Sequence, residues 1–317
     1  MKERIKIYAI AGPTASGKSA LALEMARRFD GEIISCDSMQ VYRRMNIGTA
    51  KPTPEEMAAV PHHMIDVVEP TQPFSCADYV ELADKVIRDV HARGKLPIIC
   101  GGTGLYLDAL LRKNDFTPNI TDDALRAELL EFARVNGVQA LHDELRRVDP
   151  ESAEATHPNN VKRVARAIEI YRLSGVTKTE IDRQSRLGGN RFDVSAVALL
   201  YSDREALYER IDKRVDLMLD EGLLRETRTL LDEGVFEANA TAAQAIGYKE
   251  LLSHIGGGER LEAAVERLKM ATRRYAKRQI TWFSSKDYIT PVDVCAKGNK
   301  KTFEEIVNIA SELFFNR

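Results

Sequence analysis

Gly12-Pro13-Thr14-Ala15-Ser16-Gly17-Lys18-Ser19 is the segment from which the rest of this chain can be interpreted. Before it stands Ile5-Lys6-Ile7-Tyr8-Ala9-Ile10-Ala11, an apolar-rich run that reads as a strand, and after it Ala20 to Phe29 reads as a helix. A strand, a glycine loop and a helix with the spacing G-x-x-x-x-G-K-[ST] form a phosphate-binding loop. Its glycines let successive backbone N–H groups turn inward around an anion at a helix N-terminus. Lys18 adds a point charge, and the Ser19 hydroxyl can ligate Mg²⁺. An ordinary glycine turn before a helix would not call for this lysine. The loop asks for a diphosphate or a triphosphate, ATP included, and leaves the choice to the remaining sequence.

Composition narrows the class. At 317 residues the chain exceeds one ordinary domain, so a main α/β domain with a smaller module is expected. Hydrophobic residues make up 44%, enough for a sizeable core. A net charge of −2 argues against indiscriminate nucleic-acid binding, so any such contact must come from local basic patches. Cys36, Cys76, Cys100 and Cys295 lie far apart without a C-x-x-C pair, which suggests neither a disulfide framework nor a zinc site and fits a reducing cytoplasm. No apolar run approaches the ~18 residues of a membrane span, so neither export nor anchoring is expected.

Glu32 to Cys36 reads as the next strand, followed by Asp37-Ser38-Met39-Gln40. Ligands in open α/β sheets sit beyond the carboxyl ends of strands, so Asp37 should face the same crevice as Lys18. It could order Mg²⁺, take a proton from an acceptor substrate, or simply cap a turn. Asn46 to Pro54 is a loop whose Lys51 is expected to be solvated unless it approaches a phosphate. His62-His63 lacks a further ligand spacing and is expected to be structural. Asp78 to Ala92 carries Tyr79, Leu82, Ala83, Val86 and Val90 on one face of an amphipathic helix. The strand Leu96 to Cys100 runs into Gly101-Gly102-Thr103-Gly104, where a nucleoside triphosphatase would usually place an aspartate. Thr103 there offers a hydroxyl to a base, a phosphate or Asp37.

Residues 116–191 change to helix-only patterning, with candidate helices at Asp123–Arg134, Leu141–Val148 and a third, capped by Asn159 or Asn160, that runs to Leu173. The fold class expected is α/β: a P-loop NTPase-like parallel sheet flanked by helices, with an all-helical insertion domain. Residues 1–115 and 192–317 make the core with a C-terminal helical region, and 116–191 the insertion. The insertion's second half, 157–191, holds eight basic and three acidic residues. Lys162, Arg163, Arg166 and Arg172 could track a phosphodiester backbone or form a solvated face. The sheet resumes at Asp193–Leu200, and Asp203 starts a helix carrying Arg204, Arg210 and Arg214. Arg210 and Arg214 share a face and could meet a departing diphosphate, or pair with Glu209 and Asp212. Arg267 to Arg278 holds six basic residues and no acid, with Tyr275, Trp282 and Phe283 nearby, suited either to nucleic acid or to a core face.

Five motifs in order, Gly12–Ser19, Asp37-Ser38-Met39-Gln40-Val41-Tyr42, Asn46-Ile47-Gly48-Thr49-Ala50-Lys51-Pro52, Gly101-Gly102-Thr103-Gly104-Leu105-Tyr106 and Ala276-Lys277-Arg278-Gln279-Ile280-Thr281-Trp282, resemble the bacterial tRNA dimethylallyltransferases of the IPP transferase family. The resemblance covers almost the whole chain. It implies transfer of a dimethylallyl group from dimethylallyl diphosphate to the N6 amine of the adenosine immediately 3′ of the tRNA anticodon, by a cytoplasmic monomer that uses Mg²⁺. On this likeness Gly12, Pro13, Thr14, Ala15, Ser16, Gly17, Lys18 and Ser19 hold the diphosphate, Ser19 with the metal. Asp37 looks like the base, and Thr103 and Arg214 contact the reacting groups. Asp37, Ser38, Met39, Gln40 and Thr103 match positions at the tRNA nucleotide, with Gln40 at the flipped-out base. Asn160, Val161, Lys162, Arg163 and Val164, then Gln244, Ala245, Ile246, Gly247, Tyr248 and Lys249, then Arg273, Arg274, Lys277 and Arg278 match tRNA-contacting regions. The segment Asn159 to Arg163 departs from the family pattern in lacking a glutamine. The zinc finger of eukaryotic relatives is absent. A small-metabolite kinase or an adenylate isopentenyltransferase would leave the insertion and the terminal basic stretch idle. A non-catalytic RNA-binding protein would not use Lys18, Asp37 and Arg214.

Overall fold

The computed structural model describes residues 4–111, 121–187, 189–296 and 299–315. Its elements begin β1 (Lys6–Ala11), α1 (Lys18–Arg28), β2 (Gly31–Ser35), α2 (Pro54–Ala59), β3 (His62–His63), α3 (Cys76–Ala92), β4 (Leu96–Gly101) and α4 (Gly104–Leu111). Helices alone follow: α5 (Asp123–Asn136), α6 (Val138–Val148), α7 (Pro150–Glu154), α8 (Val161–Ser174) and α9 (Lys178–Leu187). The chain then forms β5 (Asp193–Tyr201), α10 (Arg204–Asp220), α11 (Leu223–Asp232), α12 (Val235–Ala238), α13 (Lys249–Ile255) and α14 (Leu261–Ser284). It ends with β6 (Ile289–Ala296), β7 (Asn299–Lys300) and α15 (Phe303–Phe315). Two compact units result, 1–111 with 192–317 and 112–191. The expected boundary between residues 115 and 116 falls outside the described residues.

In the first unit the described strands form one sheet in the order β3-β2-β4-β1-β5-β6-β7, parallel except where β6 meets β7. β1, β2 and β4 are buried almost throughout, the pattern of parallel strands with helices on both faces. The two-residue period sends Tyr8 and Ile10 into one core, shared with Leu21 and Met25 of α1 and Phe314 of α15. Ile7 and Ala9 enter the other, shared with Tyr79 and Ile87 of α3 and Leu107 and Leu110 of α4. The C-terminal region expected to be helical thus contributes two strands. Pro291 hid β6, since proline withholds a ladder N–H. It is accommodated because β7 pairs only with Cys295 and Ala296, leaving the far side of Pro291 outside any described ladder.

In the second unit α5, α6 and α8 enclose Leu129, Leu141, Leu145, Val164 and Ile168. Fully buried Glu169 lies beside that core and accepts the Asp122 N–H at 3.0 Å and the guanidiniums of Arg126 and Arg166. Burial opposes its charge, but Arg166, the Asp122 amide and Arg126 outweigh that and hold its pKa below the usual range. Asn160 occupies the N-cap position of α8 without a side-chain capping bond, and Gly175 ends the helix in the left-handed region at φ 71°.

Candidate active site

The phosphate loop joins β1 to α1. Gly17 stands at the helix N-cap with φ 95° and no side-chain cap, so the first amides of α1 stay available to an anion. Ala15 adopts φ 62°, a conformation that costs a non-glycine residue about 1–2 kcal/mol and that such loops retain where function demands it. Lys18 Nζ donates to the Pro13 carbonyl at 3.2 Å. Desolvation lowers its pKa; Cys100 and Asp37 pull it upward, and Arg214 pushes it down. The Ser16 hydroxyl is buried without a hydrogen-bond partner. An anion in this loop would meet an uncapped helix terminus, an ammonium and an unpaired hydroxyl.

A cavity of about 330 Å³ opens beyond the carboxyl ends of β1, β2 and β4, and its lining includes Lys18, Ser19, Asp37, Gln40, Arg214 and Tyr275. Asp37 follows β2, and one of its carboxylate oxygens accepts the Met39 N–H at 2.9 Å, which fixes the turn and leaves the other oxygen free of that bond. Thr103 follows β4. Its hydroxyl accepts the Ser38 N–H at 3.0 Å, so it holds the Asp37 turn from the neighbouring strand end. Arg210 of α10 donates to the Ala15 carbonyl at 2.8 Å and buttresses the loop. Arg214, one turn on, is desolvated, which lowers its pKa, while Asp37 raises it. Asp212 pairs with Arg273 instead of either arginine.

The segment from Asn46 to Lys51 serves this cavity indirectly. Glu226 of α11 accepts the N–H groups of Asn46, Ile47 and Gly48 at 3.1, 2.9 and 3.1 Å, and the Tyr248 hydroxyl at 2.7 Å. Gly48 is required because a Cβ there would lie 2.5 Å from the Tyr248 ring. The loop's next carbonyls, of Thr49 and Ala50, both accept from the Gln40 amide at 3.2 and 3.1 Å, and Ser35 donates to the Gln40 oxygen. Gln40 therefore spends both N–H donors inside the protein, and donation to a base would first have to open this clasp. Lys51 is not solvated: its side chain is 5% exposed and its ammonium is bonded to Tyr42, Asn46 and Asp66. His62 and His63 are structural, bonded to the Val60 carbonyl and to Glu32.

One face of α14 closes the opposite wall. Tyr275 places its hydroxyl beside that of Thr103, and burial together with the Asp37 charge pushes its pKa far above the usual phenol value. Gln279 packs on Gly102 and Trp282 on Gly104, where a Cβ would lie 2.3 Å from each partner. Gly102 and Gly104 are thus explained by this helix lying on the turn, and Gly101 by the Cys36 backbone, whose carbonyl oxygen a Cβ would meet at 2.0 Å. Tyr275 and Gln279 fall in the stretch Arg273–Gln279 that the resemblance matches to tRNA contact, but their place on the cavity wall was not read from the sequence. The signal available was their i, i+4 spacing on one face of a long helix.

Other candidate residues fall into distinct environments. Lys162 and Arg163 are exposed on α8, whereas Val164 is fully buried in the core of its unit and offers no contact. Arg166 is tied to Glu169 and Arg172 to Glu128. Gln244, Ile246, Gly247 and Lys249 line the cavity, but Tyr248 is core. Arg273 is committed to Asp212, while Arg274, Lys277 and Arg278 are exposed and Arg278 lies over the Tyr275 ring at 5.5 Å. Among the described residues no cluster of three His, Cys, Asp or Glu could hold a metal by itself, and no helix is long and apolar enough to cross a membrane.

A loop built for anions, a carboxylate and an arginine around one cavity are shared by many enzymes. The family model described as IPP transferase matches residues 40–286. The chain belongs to the IPP transferase family. Within it, a tRNA dimethylallyltransferase of Halalkalibacterium halodurans is 46% identical over 314 residues, covering 99% of this chain and 98% of the relative. Another, from Caldanaerobacter subterraneus subsp. tengcongensis, is 45% identical over 303 residues and 95% of each chain. The crystal structure of a full-length tRNA isopentenylpyrophosphate transferase from Bacillus halodurans matches with a TM-score of 0.70 at 43% identity, over 98% of this chain and 97% of that one. A eukaryotic dimethylallyltransferase, captured acting on tRNA, gives 0.81 at 32% identity over 99% of this chain and 80% of its own. The IPP transferase family thus accounts for the motifs that a nucleoside triphosphatase would leave without a purpose.

Proposed function

We propose that this IPP transferase family member transfers a dimethylallyl group from dimethylallyl diphosphate to N6 of the adenosine immediately 3′ of the anticodon in tRNA, releasing diphosphate. The observation that carries the reading is the convergence of Lys18, Arg214 and Asp37 on one cavity, in a chain nearly coextensive with tRNA dimethylallyltransferases.

The exocyclic adenine amine is a poor nucleophile because its lone pair is delocalised into the ring. The Asp37 carboxylate takes its proton as the new carbon–nitrogen bond forms. The allylic carbon–oxygen bond breaks in the same direction, and negative charge grows on the leaving diphosphate. Lys18, the loop amides and Arg214 stabilise that charge in a partly desolvated setting, where such interactions are strongest. A target base must leave its stack to enter the cavity. The Ser19 hydroxyl, which lines the cavity beside Lys18, would hold Mg²⁺, and the ion would supply further charge neutralisation when bound. Exposed Lys162, Arg163, Arg274, Lys277 and Arg278 support contact with tRNA phosphates.

Unmodified tRNA incubated with enzyme and dimethylallyl diphosphate, then digested and mapped by mass spectrometry, tests the assignment. A dimethylallyl group on the adenosine 3′ of the anticodon is expected, and none when guanosine stands there. Modification elsewhere, or none with the adenosine present, would refute it.

A further inference from the structure

The cavity has a donor side, the phosphate loop, and an acceptor side at Asp37, whose turn Thr103 holds through the Ser38 N–H. In-line displacement needs the two held at a fixed separation. One buried side chain spans them. Gln279, 6% exposed, accepts the Thr14 N–H with Oε1 at 2.9 Å and donates from Nε2 to the Gly102 carbonyl, also at 2.9 Å. Thr14 belongs to the phosphate loop. Gly102 precedes Thr103, whose hydroxyl accepts the Ser38 N–H next to Asp37. A single amide therefore bridges donor and acceptor sides through both its functional ends, and Gly102 lacks the Cβ that would otherwise lie 2.3 Å from Nε2. A role in core packing alone would not require an acceptor and a donor aimed at two different catalytic segments; a methionine would fill the same space.

We infer that Gln279 is a positioning residue that sets the distance between the diphosphate and the Asp37–Thr103 pair. This rests on the prenyl-transfer reading. Its substitution lowers the rate of the chemical step without weakening the anion site, because Lys18, Arg214 and the α1 amides remain. Gln279→Met keeps the volume and loses both bonds. Gln279→Glu keeps the acceptor for Thr14 but turns the donor to Gly102 into a repulsive oxygen. Gly102→Ala displaces the same amide from the other side.

Single-turnover transfer to tRNA, with inorganic diphosphate binding by calorimetry on the same full-length preparations, tests it. Each of the three variants is expected to lose roughly 10- to 100-fold in transfer rate, while the diphosphate Kd of the uncharged Gln279→Met and Gly102→Ala moves by no more than about three-fold; Gln279→Glu, whose new charge faces the loop, is read by rate alone. In a Gln279→Ala background, Gly102→Ala is expected to cost nothing more, because the colliding group is gone. Rates within about two-fold of the unaltered enzyme, a loss matched by weaker diphosphate binding in the uncharged variants, or additive losses in the double variant would each overturn the inference. If Gln279→Met does not fold, Gly102→Ala decides it by the same criteria. The unaltered enzyme run alongside keeps the two failures apart. Transfer by it with unaffected variants removes only the role of Gln279, and no transfer by it removes both the reaction and this role.

Discussion

Asp37 and Arg214 divide the chemistry between accepting a proton and meeting a leaving charge. Asp37→Asn keeps the turn's shape and removes the base, so single-turnover transfer should fall about 10²- to 10⁴-fold while tRNA binding is largely unchanged. Near-normal transfer would exclude Asp37 from that role. Arg214→Ala should lower kcat about 10²- to 10³-fold with a smaller change in donor KM, because the interaction grows as charge develops. A change confined to KM would make Arg214 a ground-state contact only. The phosphate loop was legible in the sequence because its chemistry is contained in eight consecutive residues. Gln279 was not, since its loop partner lies 265 residues away. Lys51 was misjudged for a similar reason: a lysine in a glycine- and proline-rich loop looks solvated until the fold brings Asp66 and the Tyr42 carbonyl to it.

Among the elements, β2, β3 and the end of α3 are locked by Glu32, which is 4% exposed and bonded to Arg93 and His63. Arg93 first, and His63 after it, hold the Glu32 carboxyl at about 2 against an ordinary 4.5, despite burial. A depressed carboxyl contributes stability that is complete above its unfolded pKa and is lost as pH falls through the folded one. Urea midpoints of the parent and of Glu32→Gln should therefore differ widely at about pH 6 and converge toward about pH 2. A gap that does not depend on pH would contradict this. On α8, reversing charge at Lys162 and Arg163, the exposed pair, should weaken tRNA binding and lower the slope of log affinity against log salt by about 1 to 2. An unchanged slope would mean that this helix does not touch phosphates. Helix existence was readable from apolar periodicity. What each basic residue does was not, because Glu128, Glu169 and Asp212 claim Arg172, Arg166 and Arg273 only in three dimensions.

At the scale of the whole molecule, the sheet brings the loop after β1, Asp37 after β2 and Arg214 of the helix after β5 to one cavity, with Thr103 after β4 bonded to the Asp37 turn and Arg210 to the loop. Strand and helix alternation made this parallel arrangement readable, while Pro291 concealed β6. The helix α14 was visible as a basic stretch with a core face at Tyr275 and Trp282 as one of two readings, but that this face, with Gln279, lies against Gly102, Thr103 and Gly104 came only from the fold. The central claim is that this cavity joins an allylic diphosphate to an adenosine within tRNA. Single-turnover transfer of labelled dimethylallyl from its diphosphate, with unmodified tRNA and free AMP as parallel acceptors and ATP as competitor, tests it most directly. Transfer to tRNA and not to AMP, only weakly inhibited by ATP, is the predicted result. Transfer to AMP, or ATP turnover with no prenyl transfer, would contradict it.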